Sequence, residues 1–143
     1  MKYNDQYFYK KLEILEIIEQ LKSYCLLNAT VRYFNEMNVM NDLALIKEEL
    51  SKVKEAYTIS VKYERCPIYL SYEFDELLDI AYKGGVLSGV ELFETVKMFS
   101  SIRANERVLE SLEKDRVECR YFKNYLSNLY ILPELEKVLR KSE

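Results

Sequence analysis

Apolar side chains recur at three- and four-residue steps along most of this chain, which is the period of amphipathic α-helices. In residues 12–24 acidic residues separate the apolar positions, namely Ile14, Ile17, Ile18, Leu21 and Tyr24. A shorter helix is predicted from Asn28 to about Met37. The connector that follows ends at Asn41, which is a suitable N-cap for the next helix.

The third predicted helix runs from Asp42 to about Lys62. Its apolar residues form a stripe typical of a helix that packs along another helix, and they are Leu43, Ile46, Leu50, Val53, Tyr57 and Val61. Glu48 and Lys52 are four residues apart and predict an ion pair on the solvated side of this helix. Pro67 disfavours helix at the residue before it, so residues 63–71 are predicted to be the main non-helical link.

The second half of the chain continues with the same helical period. A helix with acids in its first turn is predicted over residues 73–83. A long helix is predicted from Gly89 to about Leu112, with a stripe of Leu92, Val96, Phe99, Ile102, Leu109 and Leu112. A further helix, residues 117–129, is expected to turn inward the side chains of Tyr121, Phe122, Tyr125, Leu126 and Leu129.

The last predicted helix begins near Pro133, because proline is tolerated in the first turn of a helix. It is expected to extend to within a few residues of Glu143. A helix of about ten residues is marginal in isolation. We therefore expect its apolar residues either to fold back on the rest of the chain or to pair with another molecule.

All three glycines of the chain lie in one short segment between two predicted helices. Gly84 and Gly85 both suit the left-handed residue that ends a helix. Ser88 precedes Glu91 by three residues, which is the spacing of a capping box at the start of the next helix. The segment therefore predicts a tight helix–turn–helix, with residues 86–87 expected to hold the turn against the core.

The whole pattern predicts an all-α fold, a bundle of about six or seven helices, in a single domain spanning residues 1–143. The apolar share of 49% and the charged share of 31% are those of a globular protein. Cys25, Cys66 and Cys119 are far apart and have no C-x-x-C spacing, so they are expected to be reduced thiols in a cytoplasmic protein. No apolar run approaches the length of a membrane span.

Little in the sequence favours catalysis. Gly84 and Gly89 have the glycine spacing of a phosphate-binding loop, but Val90 and Glu91 stand where its Lys and Ser/Thr are required. The chain contains no histidine, which excludes the common Ser/His and Cys/His catalytic sets and most zinc sites. We therefore expect no enzyme activity, no ATP binding, no cofactor and no metal.

One basic stripe is the candidate for contact with nucleic acid. Its members recur at helical spacing and are Arg103, Arg107, Arg116, Arg120 and Lys123. Phosphate contacts require only positive charge on one face. Four interleaved glutamates blunt that charge, and the chain as a whole has a net charge of −3. The sequence therefore predicts weak, salt-sensitive DNA binding at most, and ordinary solvated helix faces are the other interpretation.

Four segments, in this order, resemble the N-terminal part of the second bacterial class of MutS-related proteins. They are Leu12–Glu13 with Gln20–Leu21 and Tyr24–Cys25, then Ile46–Leu50 with Glu55–Ala56, then Ala81–Leu92, and finally Leu132–Glu136. The segment Lys83–Leu92 is the most specific and Leu132–Glu136 the next. The chain departs from that family's pattern in three places, at residues 28–31, at Asn38 and Asn41, and in residues 67–78.

The resemblance implies a helical piece of the MutS core/lever region, which joins a DNA-embracing clamp to a dimeric ATPase in DNA repair or recombination. The Walker motifs and the nuclease module of such proteins are not in this sequence. It implies a non-catalytic scaffold, either a fragment of a longer ATPase or a shortened relative. Its partner would be the remainder of a MutS-like protein or a second copy of the chain. The alternative is a stand-alone helical protein-interaction module with no role on DNA.

Overall fold

The computed structural model describes residues 13–63, 66–70 and 74–141. Among these residues there are seven helices and no strand, which confirms the predicted all-α class. The helices are α1 (Ile14–Ser23), α2 (Asn28–Asn35), α3 (Leu43–Tyr63), α4 (Phe74–Tyr82), α5 (Gly89–Lys114), α6 (Arg120–Ser127) and α7 (Pro133–Arg140). Because α3 begins at Leu43, the residue before it is Asp42, and the prediction of Asn41 as its N-cap is wrong by one position.

The chain divides into two compact units, with the division after Asp42. In the first unit α1 packs on α2, and no described residue of either helix is fully buried. In the second unit α5 contacts α4, α6 and α7, while α3 packs on α6. The first unit is shorter than the roughly 50 residues of a small domain, so the prediction of a single domain over residues 1–143 stays a prediction.

The long helix α5 is the centre of the second unit. Of its predicted stripe, Val96, Phe99, Ile102 and Leu112 are buried and the other two members are half-buried, which confirms the assignment of this face. Two clusters of buried residues form against it. One cluster consists of Leu112, Ile59 of α3 and Cys119 of the segment before α6. The other consists of Phe99, Ile102 and Leu126 of α6.

The two helices after α5 pack back against it. In α7 the buried residues are Glu136 and Leu139, and Pro133 occupies the first helical position as predicted. This helix therefore folds back on the rest of its unit. In α6 Leu126 is buried, but Tyr125 and the following Leu129 are exposed, so their predicted inward orientation is wrong.

Helix α3 buries a different face from the one that its apolar stripe predicts. Its buried residues are Glu55 and Ile59, and Lys52 and Tyr63 on the same side are half-buried. At about 100° per residue, this side lies roughly opposite the stripe of Leu43, Leu50, Val53, Tyr57 and Val61. All five of those residues are exposed. The prediction that the stripe is the packed face of α3 is therefore wrong within this chain.

The extended link that contains Pro67 is held against α5 by two polar side chains. The backbone N–H of Tyr69 donates to Oγ of the buried Ser101 at 2.9 Å. The amide of Asn105 donates from Nδ2 to the carbonyl of Pro67 at 2.7 Å. These contacts fix residues 66–70 in a non-helical conformation, as the proline predicted.

Candidate functional site

The turn between α4 and α5 closes as the glycines predicted. Gly84 has φ +76, the left-handed conformation, and its N–H donates to the carbonyl of Ala81 at 3.0 Å. The N–H of Gly85 donates to the carbonyl of Ile80 at 2.9 Å. The two bonds together are the Schellman motif, which satisfies carbonyls at the end of α4.

Gly85 is required for a different reason from Gly84. A Cβ atom on Gly85 would lie 2.7 Å from Cγ2 and 2.9 Å from the carbonyl oxygen of Ile80, whereas one on Gly84 would meet open space. Only half of the expected anchoring of the turn is found. Leu87 is half-buried, but Val86 is 93% exposed, so its predicted contact with the core is wrong.

The capping box that opens α5 is present in both directions. The N–H of Ser88 donates to Oε2 of Glu91 at 2.6 Å, and the N–H of Glu91 donates to Oγ of Ser88 at 3.4 Å. Hydrogen bonding to Ser88 lowers the pKa of Glu91 below its ordinary value, because the charged carboxylate is the better acceptor. The turn is thus closed at both ends by local bonds, and it fixes the direction in which α5 leaves α4.

Two members of the predicted basic stripe are held by carboxylates of neighbouring helices. Arg103 of α5 donates from Nη2 to Oε2 of Glu136 on α7 at 2.7 Å. Lys123 of α6 donates from Nζ to Oε1 of Glu113 on α5 at 2.6 Å. The two glutamates lower the positive charge available to a phosphate at these positions. Arg103 and Glu113 are also ten residues apart, which separates the two ion pairs by about 15 Å along α5.

The other three members of the stripe are on the surface in different settings. Arg120 lies on the ring of Tyr121, with its guanidinium carbon 4.6 Å from the ring centroid. Arg116 follows the end of α5 in a left-handed conformation, φ 57, and so occupies the position that glycine holds after α4. Arg107 is exposed on α5. The role of the five residues in binding nucleic acid stays a prediction.

Glu136 joins α7 to α5 through two arginines. Besides the bond from Arg103, its Oε1 accepts from Nε and Nη2 of Arg140 at 3.1 and 3.0 Å. Arg140 also donates to Oγ of Ser100 on α5 at 3.0 Å. The arginines, Arg103 first, lower the pKa of the Glu136 carboxyl, so that it stays ionised although it is buried. Sequence analysis included Glu136 only in the segment Leu132–Glu136 and assigned it no contact.

Glu55 is the second buried carboxylate that sequence analysis missed. It reaches from α3 to the start of α6, where it accepts from the backbone N–H of Tyr121 at 3.1 Å and of Phe122 at 2.7 Å. Because α6 has no side-chain cap of its own, Glu55 supplies its N-terminal acceptor from another helix. The sequence feature that could have revealed Glu55 is its spacing from Lys52 and Ile59. This spacing places the Glu55 carboxylate on the same helix face as the apolar Ile59.

Lys52 also differs from its predicted setting. Its Nζ lies 2.6 Å from Glu49 and 3.6 Å from Glu48, so the predicted Glu48 pair forms but is the longer of the two. The ammonium also lies 5.9 Å from the ring centroid of Tyr121. Hydrogen bonding to Glu49 raises the pKa of Lys52. Lys52 is therefore part of the α3–α6 contact, and its predicted place on the solvated side is wrong.

Two apolar depressions lie in the second unit. One, of about 360 Å³, runs between α3 and α6 and is lined by Ile59, Cys66 and Phe122 among others. The other, of about 330 Å³, lies beside the turn and is lined by Leu77, Leu87 and Leu135 among others. Their volumes are at the small end of ligand pockets. The first is also lined by Lys52 and Glu55, but these side chains are already bonded to Glu49 and to the start of α6. The second is lined mainly by apolar side chains.

The part of the chain that the structure describes contains no cluster of three or more metal-ligating side chains. Its three cysteines are free thiols. Burial raises the pKa values of Cys66 and Cys119, which keeps both thiols protonated and weakens them as nucleophiles. No described helix combines the length and the apolar character needed to cross a membrane.

A row of exposed apolar residues lies along one face of α3, and we call it the α3 stripe. It consists of Leu43, Ile46, Leu50, Val53, Tyr57 and Val61. All but the half-buried Ile46 are 62–69% exposed. Exposed apolar side chains aligned along one helix face mark interaction sites more often than scattered ones do.

Comparison with known proteins leaves the family open. No family model, no curated protein and no solved structure matches this chain. The relation to MutS-like proteins therefore stays a prediction that depends on the four segments of the sequence.

Proposed function

We propose that this chain is a non-catalytic helical scaffold domain of a MutS-like DNA repair or recombination protein, placed between DNA-contacting and ATPase parts. The observation that carries the proposal is the segment Lys83–Leu92. It is the most specific part of the resemblance, and its residues form a helix–turn–helix closed by a Schellman motif and a capping box. In this segment Gly84, Gly85 and the pair Ser88 and Glu91 have structural tasks that other residue types would perform less well.

A scaffold that transmits displacement needs a stiff element fixed at both ends. Helix α5 has 26 residues, which corresponds to a length of about 39 Å. Its start is fixed by the turn, and buried clusters hold it near Phe99 and near Leu112. A movement imposed at one end of such a helix is carried to the other with little bending.

The polar groups of the second unit also fit a structural task. The buried carboxylates Glu55, Glu94 and Glu136 all accept hydrogen bonds, from the backbone of α6, from Lys97 and from Arg103 respectively. The described residues contain no group of three or more metal-ligating side chains. Catalytic acids and bases are instead found where unsatisfied or strongly perturbed groups face a cleft. The satisfied contacts favour a scaffold over an enzyme.

The test is binding to a MutS-like clamp–ATPase fragment encoded in the same genome. We expect calorimetry to show one-to-one binding, and we expect the added chain to change how DNA stimulates ATP hydrolysis by that fragment. The control is Gly85→Val, which opens the turn that aims α5 and should weaken both effects. A folded wild-type chain that neither binds the fragment nor changes its ATP hydrolysis would contradict the proposal.

A stand-alone protein-interaction module is the second candidate, and the exposed α3 stripe favours it. This hypothesis requires neither DNA nor an ATPase partner. The same calorimetry separates the two, because the module is expected to leave the clamp–ATPase fragment unbound.

A further inference from the structure

Most of the α3 stripe faces away from the contacts that α3 makes in its own unit, and Val53 alone of its members borders the depression between α3 and α6. The packed side of the helix contains Lys52, Glu55 and Ile59, and the stripe lies roughly opposite at about 100° per residue. Five of its six members are 62–69% exposed. A partner can therefore cover the stripe without displacing any buried side chain of the second unit.

The spacing of the stripe follows a heptad register. With Leu43, Leu50 and Tyr57 at the a positions, the d positions are Ile46, Val53 and Ser60. This is the a/d seam of helices that pair along their length. The seam covers three heptads, because α3 runs from Leu43 to Tyr63, and its last d position is the polar Ser60.

The residues beside the seam have charges that select a parallel partner of the same sequence. Within α3 the e positions are Lys47, Lys54 and Val61, and the g positions are Glu49, Ala56 and Tyr63. In a parallel pair each g residue meets the e residue five positions later on the other helix. That rule brings Glu49 to Lys54 and Ala56 to Val61 of the second copy, so the charged contact joins opposite signs and the other contact is apolar.

An antiparallel pair would have the opposite result. It brings e positions against e positions and g positions against g positions, so at full overlap of the two helices Lys47 would meet Lys54 and Glu49 would meet Ala56. Like charges at these sites oppose pairing. In the single chain Glu49 already bonds Lys52 at 2.6 Å, but a partly exposed pair of this kind is weak enough to be exchanged for a contact with Lys54 of another copy.

We propose that the α3 stripe is a self-association surface, on which a second copy of this chain docks with its α3 parallel to the first. Charged residues border the a/d seam on both sides over its first two heptads, at Lys47, Lys54 and Glu49, which suits two strands. Because the seam is short, its area falls at the low end of specific interfaces, below about 1,200 Å² in total. We therefore expect a reversible dimer with a dissociation constant on the order of micromolar. The proposal does not depend on the relation to MutS-like proteins.

The first experiment is sedimentation equilibrium of the whole chain from about 1 to 300 μM, which brackets the expected dissociation constant. The mass is expected to rise from that of one 17.1 kDa chain towards twice that value. Leu50→Glu places a charge in the seam and should keep the mass at one chain. Ser51→Glu adds the same charge to the exposed neighbour outside the seam and should dimerise like the wild type.

Circular dichroism of both variants should match the wild type, since neither residue is buried. A mass of one chain for the wild type at every concentration overturns the proposal, as does a wild-type mass above that of two chains. Equal loss of dimer in Leu50→Glu and Ser51→Glu would also overturn it.

The second experiment tests the orientation. Lys54→Glu opposes Glu49 of the other copy in a parallel pair, so we expect the dissociation constant to rise at least about fivefold, as for other like-charge contacts. Glu49→Lys should weaken the dimer similarly, and the double variant should regain most of the lost affinity. Tighter dimerisation by Lys54→Glu alone would indicate that lysines face each other, and it would overturn the parallel arrangement.

Discussion

At the residue scale, two glutamates join helices to one another, one from the first turn of its helix and the other from inside its helix. Glu136 lies in the first turn of α7 and accepts from two arginines, whereas Glu55 lies inside α3 and accepts from the backbone of α6. Both are buried although each bears a carboxylate. Buried charges persist in proteins when hydrogen-bonded partners replace the lost water, and both residues meet that condition.

The Glu136 contacts predict how stability changes with acidity. The arginines lower its folded pKa below the ordinary 4.5, so the group stabilises the fold fully above that pH and loses the effect as pH falls through the folded pKa. Glu136→Gln should cost about 1–3 kcal/mol at neutral pH. Urea melts of both proteins should show this difference shrinking below about pH 4.5. A difference that is constant across that range would contradict the ionised bond.

Glu55→Ala should destabilise the chain by about 1–3 kcal/mol, because two N–H groups at the start of α6 lose their acceptor inside the structure. The control is Glu48→Ala on the same helix. Glu48 is exposed and lies 3.6 Å from Lys52, so its loss should cost less than about 0.5 kcal/mol. Chemical denaturation followed by circular dichroism measures both. Equal effects would show that Glu55 does not cap α6.

At the element scale, α4 and α5 both end in a Schellman motif, but with different residues in the left-handed position. Gly84 has that position after α4 and Arg116 has it after α5. The N–H groups of Arg116 and Val117 donate to the carbonyls of Glu113 and Leu112, at 3.0 and 2.9 Å. The left-handed conformation strains a residue that has a Cβ and leaves glycine unstrained.

Substitutions in the first turn should therefore lower stability through different mechanisms. Gly84→Val should cost at least about 1 kcal/mol from conformational strain alone. Gly85→Val should cost more, because its Cβ atom would lie only 2.9 Å from the carbonyl oxygen of Ile80. Ser88→Ala should cost about 0.5–2 kcal/mol through the lost cap. Urea melts that overlay the wild type would refute the turn assignment.

The turn after α5 provides a matched control, in which the substitution is expected to raise the stability of the fold. Arg116→Gly removes the left-handed strain of about 1–2 kcal/mol and adds about 0.5–1 kcal/mol of chain entropy to the unfolded state. We expect a net gain in stability of up to about 1 kcal/mol. A loss as large as that of Gly84→Val would show that the Arg116 side chain makes contacts that outweigh the strain.

At the scale of the whole molecule, the ion pairs of Arg103 and Lys123 bear on DNA binding. Arg103 and Lys123 are paired with Glu136 and Glu113, so the other three cations of the predicted basic stripe are the main candidates for contact with phosphate. Each phosphate contact contributes about −0.9 to the slope of log affinity against log salt, so we expect a slope no steeper than about −3. Anisotropy titrations of duplex and branched DNA measure it.

In those titrations, Arg107→Glu should weaken the binding of every DNA sequence alike, because a phosphate contact has no base preference. Tight DNA binding that persists at about 200 mM salt would contradict the proposed scaffold function, and it would favour direct contact with bases.

The sequence alone determined the features that depend on neighbouring residues. The all-α class, the stripe of α5, the proline-containing link and the Gly84–Glu91 turn follow from periodicity, φ preferences and short-range hydrogen bonds. Each of these is decided within about one or two helical turns, so the sequence pattern contains the necessary information.

Only the tertiary structure decided which face of each helix is used. The apolar pattern of α3 predicts burial of Leu50 and Val53, but the chain instead packs the side with Glu55 and Ile59. On that side Ile59 joins the buried cluster with Leu112, and Glu55 supplies the cap of α6. In the same way, only the fold places Glu136 beside Arg103 and Glu113 beside Lys123. Such contacts join residues between 10 and 67 positions apart, and local periodicity does not encode them.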